Sequence, residues 1–185
     1  MHGHPGGEQH TLEMLERSGL KPPAKILDMG AGSGQTMKLL HSLGFDVRGI
    51  DLFPSAPPER EVLITQGDFL NPPYGENTFD GIISQCAFYV SAHVPKAFLS
   101  AYKLLKPGGI LMLSDVCPVN ASFKEFAECA GFEVLYFEDQ TPAWKEYYIE
   151  AIWRGTACPF PCSQKMNYEM LICKKQSPKE ELLWI

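Results

Sequence analysis

The sequence predicts an α/β fold, a sheet of mostly parallel strands covered by helices. Two observations predict it: short apolar runs alternate with segments of helical period along the chain, and a glycine-rich turn joins one apolar run to an amphipathic segment. The composition agrees, because 185 residues with 45% hydrophobic and 21% charged side chains suffice for one domain with a buried core.

The strands are predicted from apolar runs bounded by turn residues. Seven such runs cover residues 25–29, 46–50, 62–66, 79–85, 110–114, 132–138 and 167–175. The fifth run follows the segment Lys106-Pro107-Gly108-Gly109, which we expect to form a turn before the strand begins.

The helices are predicted from the spacing of apolar residues and from residues typical of helix ends. Ser122 is typical of an N-cap, whereas Thr141 and Pro142 indicate a capped helix start that Gly155 later terminates. The predicted helices cover residues 9–18, 33–43, 95–105, 122–130 and 142–154.

Charge and hydropathy exclude two classes of partner. The net charge is −6 and the lysines and arginines are scattered, so we expect no nucleic-acid partner. No run reaches 18 apolar residues and the N-terminus lacks the pattern of a signal peptide, so we expect no membrane partner and a cytoplasmic location. The oligomeric state stays open.

We expect no metal site. Cys158 and Cys162 have the spacing of a ligand pair but lack a second pair nearby. His2, His4 and His10 form a sparse N-terminal set that we expect to be solvated.

The glycine-rich turn predicts a nucleotide-like ligand. Glycines let the backbone approach such a ligand closely, and the helix that follows aims its N-terminus at it. A dinucleotide fingerprint requires a small residue where this chain has Gln35, which disfavours a nicotinamide-dependent oxidoreductase. The turn consists of Gly30, Ala31, Gly32, Ser33 and Gly34, and Asp28 precedes it in the first strand.

This D-x-G-x-G-x-G segment resembles motif I of the class I S-adenosylmethionine-dependent methyltransferases, in particular the type 11-like members. Segments resembling the family's later motifs follow in order, and the resemblance covers about residues 5–175. It implies a Rossmann-like sheet of seven strands, mostly parallel, with an antiparallel last strand between the fifth and sixth and helices on both faces. It also implies an enzyme that uses S-adenosyl-L-methionine as its cofactor.

The resemblance implies roles for single residues. Asp51, at the end of the second strand, stands where the family has an acidic residue that binds both ribose hydroxyls. Asp68 matches the position that meets the adenine amino group, and Phe69 the side chain beside the ring. The implied cofactor-binding residues are Asp28, Gly30, Ala31, Gly32, Gly34, Asp51, Leu52, Asp68, Phe69 and Gln85.

The end of the fourth strand is where the family places the methyl-accepting chemistry. His93 is the candidate general base because the pKa range of histidine suits proton transfer near neutral pH. Cys86 and Tyr89 are the other catalytic candidates. An aromatic side chain such as Tyr89 more often forms part of the wall of a pocket than takes part in the chemistry.

The thiols point to one candidate class of acceptor. Cys86 and Cys117 follow the fourth and fifth strands, and the carboxyl ends of parallel strands border the ligand site. Together with Cys158 and Cys162 they would suit a soft acceptor, such as a thiol or a metalloid. The segment "SQCAF" is similar in placement to a segment of arsenite methyltransferases. The alternative is that these cysteines only pack in the core.

The sequence thus predicts one methyltransferase domain over residues 1–185. Within it we expect an N-terminal lid and helix at 1–20, a helical, cysteine-containing insertion at 139–165 and a tail at 176–185. The predicted function is methyl transfer to a small-molecule acceptor. The alternative is an S-adenosylmethionine-binding accessory or sensor protein without methyl transfer, whose cysteines hold a metal or redox ligand.

Overall fold

The computed structural model describes residues 4–55, 63–153, 155 and 165–177. The strands are β1 Lys25–Met29, β2 Asp46–Asp51, β3 Ile64–Gln66, β4 Phe79–Gln85, β5 Leu105–Pro118, β6 Phe132–Asp139 and β7 Met166–Lys175. The helices are α1 Gly7–Ser18, α2 Gln35–Ser42, α3 Val94–Leu104, α4 Phe123–Cys129 and α5 Thr141–Trp153, with a 3₁₀ turn at Tyr89–Ser91.

The seven strands form one sheet in the order β3-β2-β1-β4-β5-β7-β6. The pairs among β1 to β5 are parallel, whereas β7 runs antiparallel to both β5 and β6. This is the predicted sheet, with the antiparallel last strand between the fifth and the sixth. The carboxyl ends of β1, β2 and β4 therefore meet at one edge, where the glycine turn also lies.

The predicted turn at residues 106–109 is wrong. Leu105 pairs with Phe79 and Ile110 pairs with Gly81, so these four residues bulge out of a continuous strand β5. Asp80 holds the bulge, because its carboxylate accepts a hydrogen bond from Lys106 Nζ at 2.7 Å. The sequence of a turn resembles that of a bulge, because both structures can require a glycine in the left-handed backbone conformation.

The core lies on both faces of the sheet. Neighbouring strand residues alternate between two clusters of buried side chains, as Ile82 and Ile83 show. Helices α3 and α4 cover one face and helices α1 and α2 the other. No helix in the described ranges is long and apolar enough to cross a membrane.

Helix α2 begins two residues later than predicted. Gly30, Gly32 and Gly34 have φ angles of 88°, 51° and 74°, in the left-handed region that favours glycine. The glycine turn therefore extends to Gly34, which is the N-cap of α2. Strand β5 begins five residues before and ends four residues after the predicted 110–114, and the other described boundaries lie within two residues of the predictions. Residue 62, the predicted start of the third strand, and residue 154, the predicted end of the last helix, lie outside the described residues.

Candidate active site

The glycine turn is held tightly between β1 and β2. Gly30 N and Ala31 N donate hydrogen bonds to Ile50 O at 2.9 and 3.2 Å. A Cβ atom at Gly30 would overlap the Cβ atom of Ala87, which lies in the loop after β4. At Gly32 the corresponding space is open, with no atom within 4 Å of a Cβ built there. The turn thus presents bare backbone to an open cavity.

Asp51 joins this turn to the end of β2. Its Oδ2 accepts a hydrogen bond from Gly32 N at 2.8 Å, and its Oδ1 accepts one from Phe53 N at 2.8 Å. A carboxylate oxygen can accept about two hydrogen bonds, so each oxygen keeps capacity for one more. This geometry fits a ligand with two adjacent hydroxyl groups, the ribose role predicted for Asp51. Leu52 beside it is 50% exposed.

Asp68 and Phe69 follow β3. Asp68 Oδ1 accepts a hydrogen bond from Leu70 N at 2.8 Å, which fixes the local turn. Phe69 is 7% exposed and stacks on Phe88 with ring centroids 5.8 Å apart. It packs as a floor beneath the glycine turn, and the adenine-binding roles of both residues stay predictions.

A cavity of about 200 Å³ opens beside the turn. It is lined by the turn, by Asp28 and by Gln85, Cys86 and His4. Gln85 Oε1 accepts hydrogen bonds from the hydroxyls of Thr36 on α2, at 3.1 Å, and Thr11 on α1, at 3.3 Å. The amide nitrogen of Gln85 lies 3.2 Å from His4 Nδ1. Gln85 therefore ties the N-terminal segment to this cavity, which we name the cofactor cavity.

Asp28 contributes a buried carboxyl to the cofactor cavity. Burial raises the pKa of the Asp28 carboxyl to about 7, and the nearby Asp51 carboxylate adds to the rise. A positive charge placed beside Asp28 would favour its ionised form. Such a charge would therefore bind with help from Asp28, and both the sulfonium and the ammonium group of S-adenosylmethionine are cationic.

Cys86 lies at the carboxyl end of β4 in left-handed backbone, with φ at 59°. Its N–H donates to Ser114 O at 2.9 Å, and its Sγ lies 3.6 Å from Tyr168 Oη. Burial, followed by the Asp115 carboxyl, raises the pKa of the Cys86 thiol to about 12. Cys86 is therefore a neutral thiol at neutral pH, not a thiolate.

Asp115 is a positioning residue that the sequence analysis missed. Its carboxylate is fully buried and accepts hydrogen bonds from Tyr89 N at 2.9 Å and Val116 N at 2.7 Å. Burial raises its pKa to about 7, against the opposing effect of those backbone hydrogen bonds. Asp115 holds the Cys86–Tyr89 loop in place; its position at the end of the motif "LMLSD" was the available signal.

The expectation that Cys117 lines the same opening as Cys86 is wrong. Successive strand residues face opposite sides of a sheet. Val116 faces the cluster that includes Cys86, whereas Cys117 is fully buried in the core on the other side. Cys158 and Cys162 lie outside the described residues.

The other two catalytic candidates differ in placement. Tyr89 is half-buried and packs against the cluster formed by Val116, Met166 and Tyr168. His93 is exposed directly before α3, and its N–H donates to Ser91 Oγ at 3.2 Å. His93 is not among the residues that line the two cavities between the N-terminal segment and the sheet edge, so its catalytic role stays a prediction that this placement does not support.

A second cavity, of about 400 Å³, lies between α1 and α5. Its aromatic lining consists of His10, Trp144, Tyr147 and Tyr168. Thr141 fixes α5 here, since its hydroxyl accepts a hydrogen bond from Tyr168 N at 2.9 Å. The helix predicted over 142–154 forms one side of this space, and His10 of α1 lines the other, which the sequence did not predict. We name it the acceptor cavity.

The expectation that the N-terminal histidines are solvated is wrong for His4 and His10; His2 lies outside the described residues. His10 is 8% exposed, and its Nε2 has no hydrogen-bond partner among the described residues. Burial, followed by the neighbouring His4, lowers the pKa of His10 to about 4, although Glu13 and Glu138 oppose the shift. His10 is therefore a neutral imidazole at neutral pH.

The sheet order, the glycine turn after β1 and the acidic residue at the end of β2 are the arrangement that the resemblance to class I S-adenosylmethionine-dependent methyltransferases implied. A family model described as a methyltransferase domain matches residues 27–113, and this match confirms the methyltransferase class that the sequence motifs predicted. The similarity to arsenite methyltransferases stays a prediction.

The relatives are similar over part of their length. Phosphoethanolamine N-methyltransferase 1 of Arabidopsis thaliana is 31% identical over 143 residues, which are 70% of this chain and 29% of that protein. Phosphoethanolamine N-methyltransferase of Plasmodium falciparum is 27% identical over 150 residues, 72% of this chain and 56% of that protein. The chain thus spans from under a third to just over half of these relatives.

Solved structures share the fold. Phosphoethanolamine N-methyltransferase 2 of Haemonchus contortus, in complex with S-adenosyl-L-methionine, has a TM-score of 0.78 and 21% identity, covering 94% of this chain and 54% of that one. The cyclase SpnF has a TM-score of 0.73 and 20% identity, covering 96% of this chain and 87% of that one. The fold therefore occurs in proteins named for different chemistries.

Proposed function

We propose that this protein transfers the methyl group of S-adenosylmethionine to a small molecule bound in the acceptor cavity. The observation that carries the proposal is that the cofactor cavity and the acceptor cavity adjoin each other at Cys86 and Tyr168. Cys86 lines the cofactor cavity and Tyr168 the acceptor cavity, with Cys86 Sγ 3.6 Å from Tyr168 Oη. The tilted rings of His4, which lines the cofactor cavity, and His10, which lines the acceptor cavity, are also neighbours, with centroids 5.9 Å apart.

The cofactor, when bound, supplies a methyl group already activated on a sulfonium sulfur. The residues of the chain then have to hold and align the two reactants and exclude water. In this proposal Asp51 binds the ribose and Asp68 the adenine amino group, while the bare backbone of Gly30 and Gly32 lets the methionine end lie close. Gln85 draws the N-terminal segment over that end, which gives residues 1–20 the role of a lid.

The soft-acceptor hypothesis receives little support from the described thiols. Of these, Cys86 lines the cofactor cavity as a neutral thiol, Cys117 and Cys173 are buried, and Cys129 is exposed on α4. A pocket of several thiols around one methyl group is therefore not assembled by the described residues. A small-molecule acceptor bound by aromatic and polar groups fits the acceptor cavity better. The single domain and the cytoplasmic location stay predictions.

Calorimetry with S-adenosylmethionine tests the cofactor assignment. Removing a buried partner of a hydroxyl pair costs on the order of 1–3 kcal/mol, so Asp51→Ala is expected to weaken binding roughly 5- to 150-fold. Asp46→Ala is the matched control, because Asp46 is an exposed aspartate at the opposite end of the same strand. Equal affinity of the wild type and Asp51→Ala would contradict the assignment.

Turnover separates the proposal from its alternative. We expect S-adenosylhomocysteine to accumulate when the protein and its cofactor are incubated with a panel of small amines, thiols and acids. Tight cofactor binding without turnover on any of them would favour an accessory or sensor protein that binds the cofactor without transferring its methyl group.

A further inference from the structure

We propose that the acceptor is a small organic amine that binds as a cation and carries no phosphate group. This inference rests on the proposed function and specifies its substrate class. In the acceptor cavity the rings of Trp144 and Tyr168 are nearly parallel, with an interplanar angle of 4° and centroids 6.2 Å apart. Tyr147 adds a third ring. Faces of aromatic rings attract cations.

The charged side chains among the described residues that line the acceptor cavity are all carboxylates. Glu13, Glu146 and Glu150 line it, and among its described lining residues there is no lysine or arginine. Glu13 already has a cationic partner, because Arg17 bonds Glu13 Oε1 at 2.7 Å while its guanidinium lies over the ring of Tyr136. A phosphate group in the cavity would thus meet carboxylates and no cation among the described lining residues, whereas an ammonium group would meet Glu146 and Glu150 and, beside Arg17, Glu13.

His10 provides an independent sign of a ligand. A buried polar atom without a partner is uncommon in folded proteins, since it loses its hydrogen bonds to water. His10 is more than nine-tenths buried, lines the acceptor cavity and leaves Nε2 without a partner among the described residues. As a neutral imidazole it can accept a hydrogen bond from an ammonium N–H. An amine in the cavity would therefore satisfy both the carboxylates and His10.

The transfer to an amine balances without a further reactant. The bound ammonium gives one proton to water on the open side of the cavity, where Glu146 and Glu150 are exposed. The nitrogen lone pair then forms the N–C bond while the C–S bond breaks and its electron pair stays on sulfur. The product leaves as a methylated ammonium. A volume of about 400 Å³ lies within the usual range for small-molecule sites.

Binding and turnover are measured separately on the full chain. Binding is measured by calorimetry in the presence of S-adenosylhomocysteine, with choline as the probe because its quaternary nitrogen cannot accept a methyl group. Phosphocholine is the comparison ligand that adds a phosphate group, and 3,3-dimethylbutanol is the comparison ligand that lacks the positive charge. We expect choline to bind roughly 10-fold or more tightly than either. In turnover, ethanolamine is expected to exceed both phosphoethanolamine and 2-mercaptoethanol.

Charge variants test which residues recognise the cation. The double variant Glu146→Gln and Glu150→Gln is expected to weaken choline binding roughly 5- to 10-fold. Glu125→Gln and Glu133→Gln, on α4 and β6 away from the cavity, are the controls and should match the wild type. His10→Leu is expected to leave choline binding close to that of the wild type and to weaken ethanolamine binding, because choline has no N–H to donate to His10 whereas the ethanolamine ammonium has three.

The outcomes distinguish this inference from the proposed function. Phosphocholine binding as tightly as choline, or preferred turnover of phosphoethanolamine or 2-mercaptoethanol, would overturn the inference and leave methyl transfer standing. Cofactor binding without choline binding or amine turnover would also overturn it. Choline binding without turnover of any acceptor would support the cation site and refute methyl transfer.

Discussion

The buried imidazole of His10 should make the stability of the protein fall in mild acid. Its pKa is about 4 in the folded protein and 6.5 as an ordinary histidine. Between pH 6.5 and pH 4 the imidazole is therefore protonated in the unfolded chain and neutral in the folded chain. The free energy of unfolding consequently falls as the pH drops through this range. Replacing His10 by glutamine should remove this dependence.

The magnitude follows from the two pKa values. At pH 5 the unfolded imidazole is almost fully protonated and the folded one almost fully neutral, which corresponds to about 2 kcal/mol of lost stability, whereas at pH 7.5 the loss is close to zero. The Asp28 and Asp115 carboxyls, whose pKa values are raised to about 7, act in the opposite direction. They are present in both proteins, so their effect cancels in the comparison.

Urea denaturation of the wild type and His10→Gln at pH 7.5 and pH 5.0 measures the difference. We expect the wild type to lose about 2 kcal/mol more than the variant between the two pH values. His93→Gln controls for the removal of an exposed imidazole. Parallel pH profiles for the wild type and His10→Gln would refute the reasoning, because they would mean that the folded imidazole takes up its proton as readily as the unfolded one.

Three further measurements address the site. Gly30→Ala should lower the free energy of unfolding by roughly 2–4 kcal/mol through overlap with the neighbouring loop, against roughly 1 kcal/mol for Gly32→Ala; equal costs in urea denaturation would contradict this. Asp115→Asn should cost about 1–3 kcal/mol by leaving a backbone N–H unpaired, and an unchanged midpoint would argue against its positioning role. Alkylation of native protein, mapped by mass spectrometry, should modify exposed Cys129 quickly and Cys86 slowly, and rapid reaction of Cys86 would contradict its raised pKa.

Much of the fold could be predicted from the spacing of apolar residues and from the residues that cap helices. The Ser122 hydroxyl accepts the N–H of Lys124, as an N-cap should, and the seven apolar runs became seven strands. The bulge at 106–109 could not be predicted, because a glycine pattern does not tell whether the strand resumes in the same register beyond it. That depends on pairing with a distant strand.

The placement of Asp51 was predictable from a local motif, whereas its role in binding ribose stays a prediction. Asp51 lies where the resemblance implied and bonds the glycine turn. The burial of His10 was not predictable, since it depends on the packing of α1 against α5 and β7, which are far away in sequence. Cys117 was misplaced because β5 runs to Pro118, and only that length determines which face the side chain takes.

The left-handed backbone at Cys86 has a consequence for how such a site can diversify. Glycine, asparagine and aspartate adopt that conformation more readily than most residues, so exchange to any of them would relieve strain instead of adding it. The loop itself is held from outside by the buried carboxylate of Asp115. A residue at this position, on the lining of the cofactor cavity, can thus change among thiol, amide and no side chain without added backbone strain, while Asp115 continues to hold the loop.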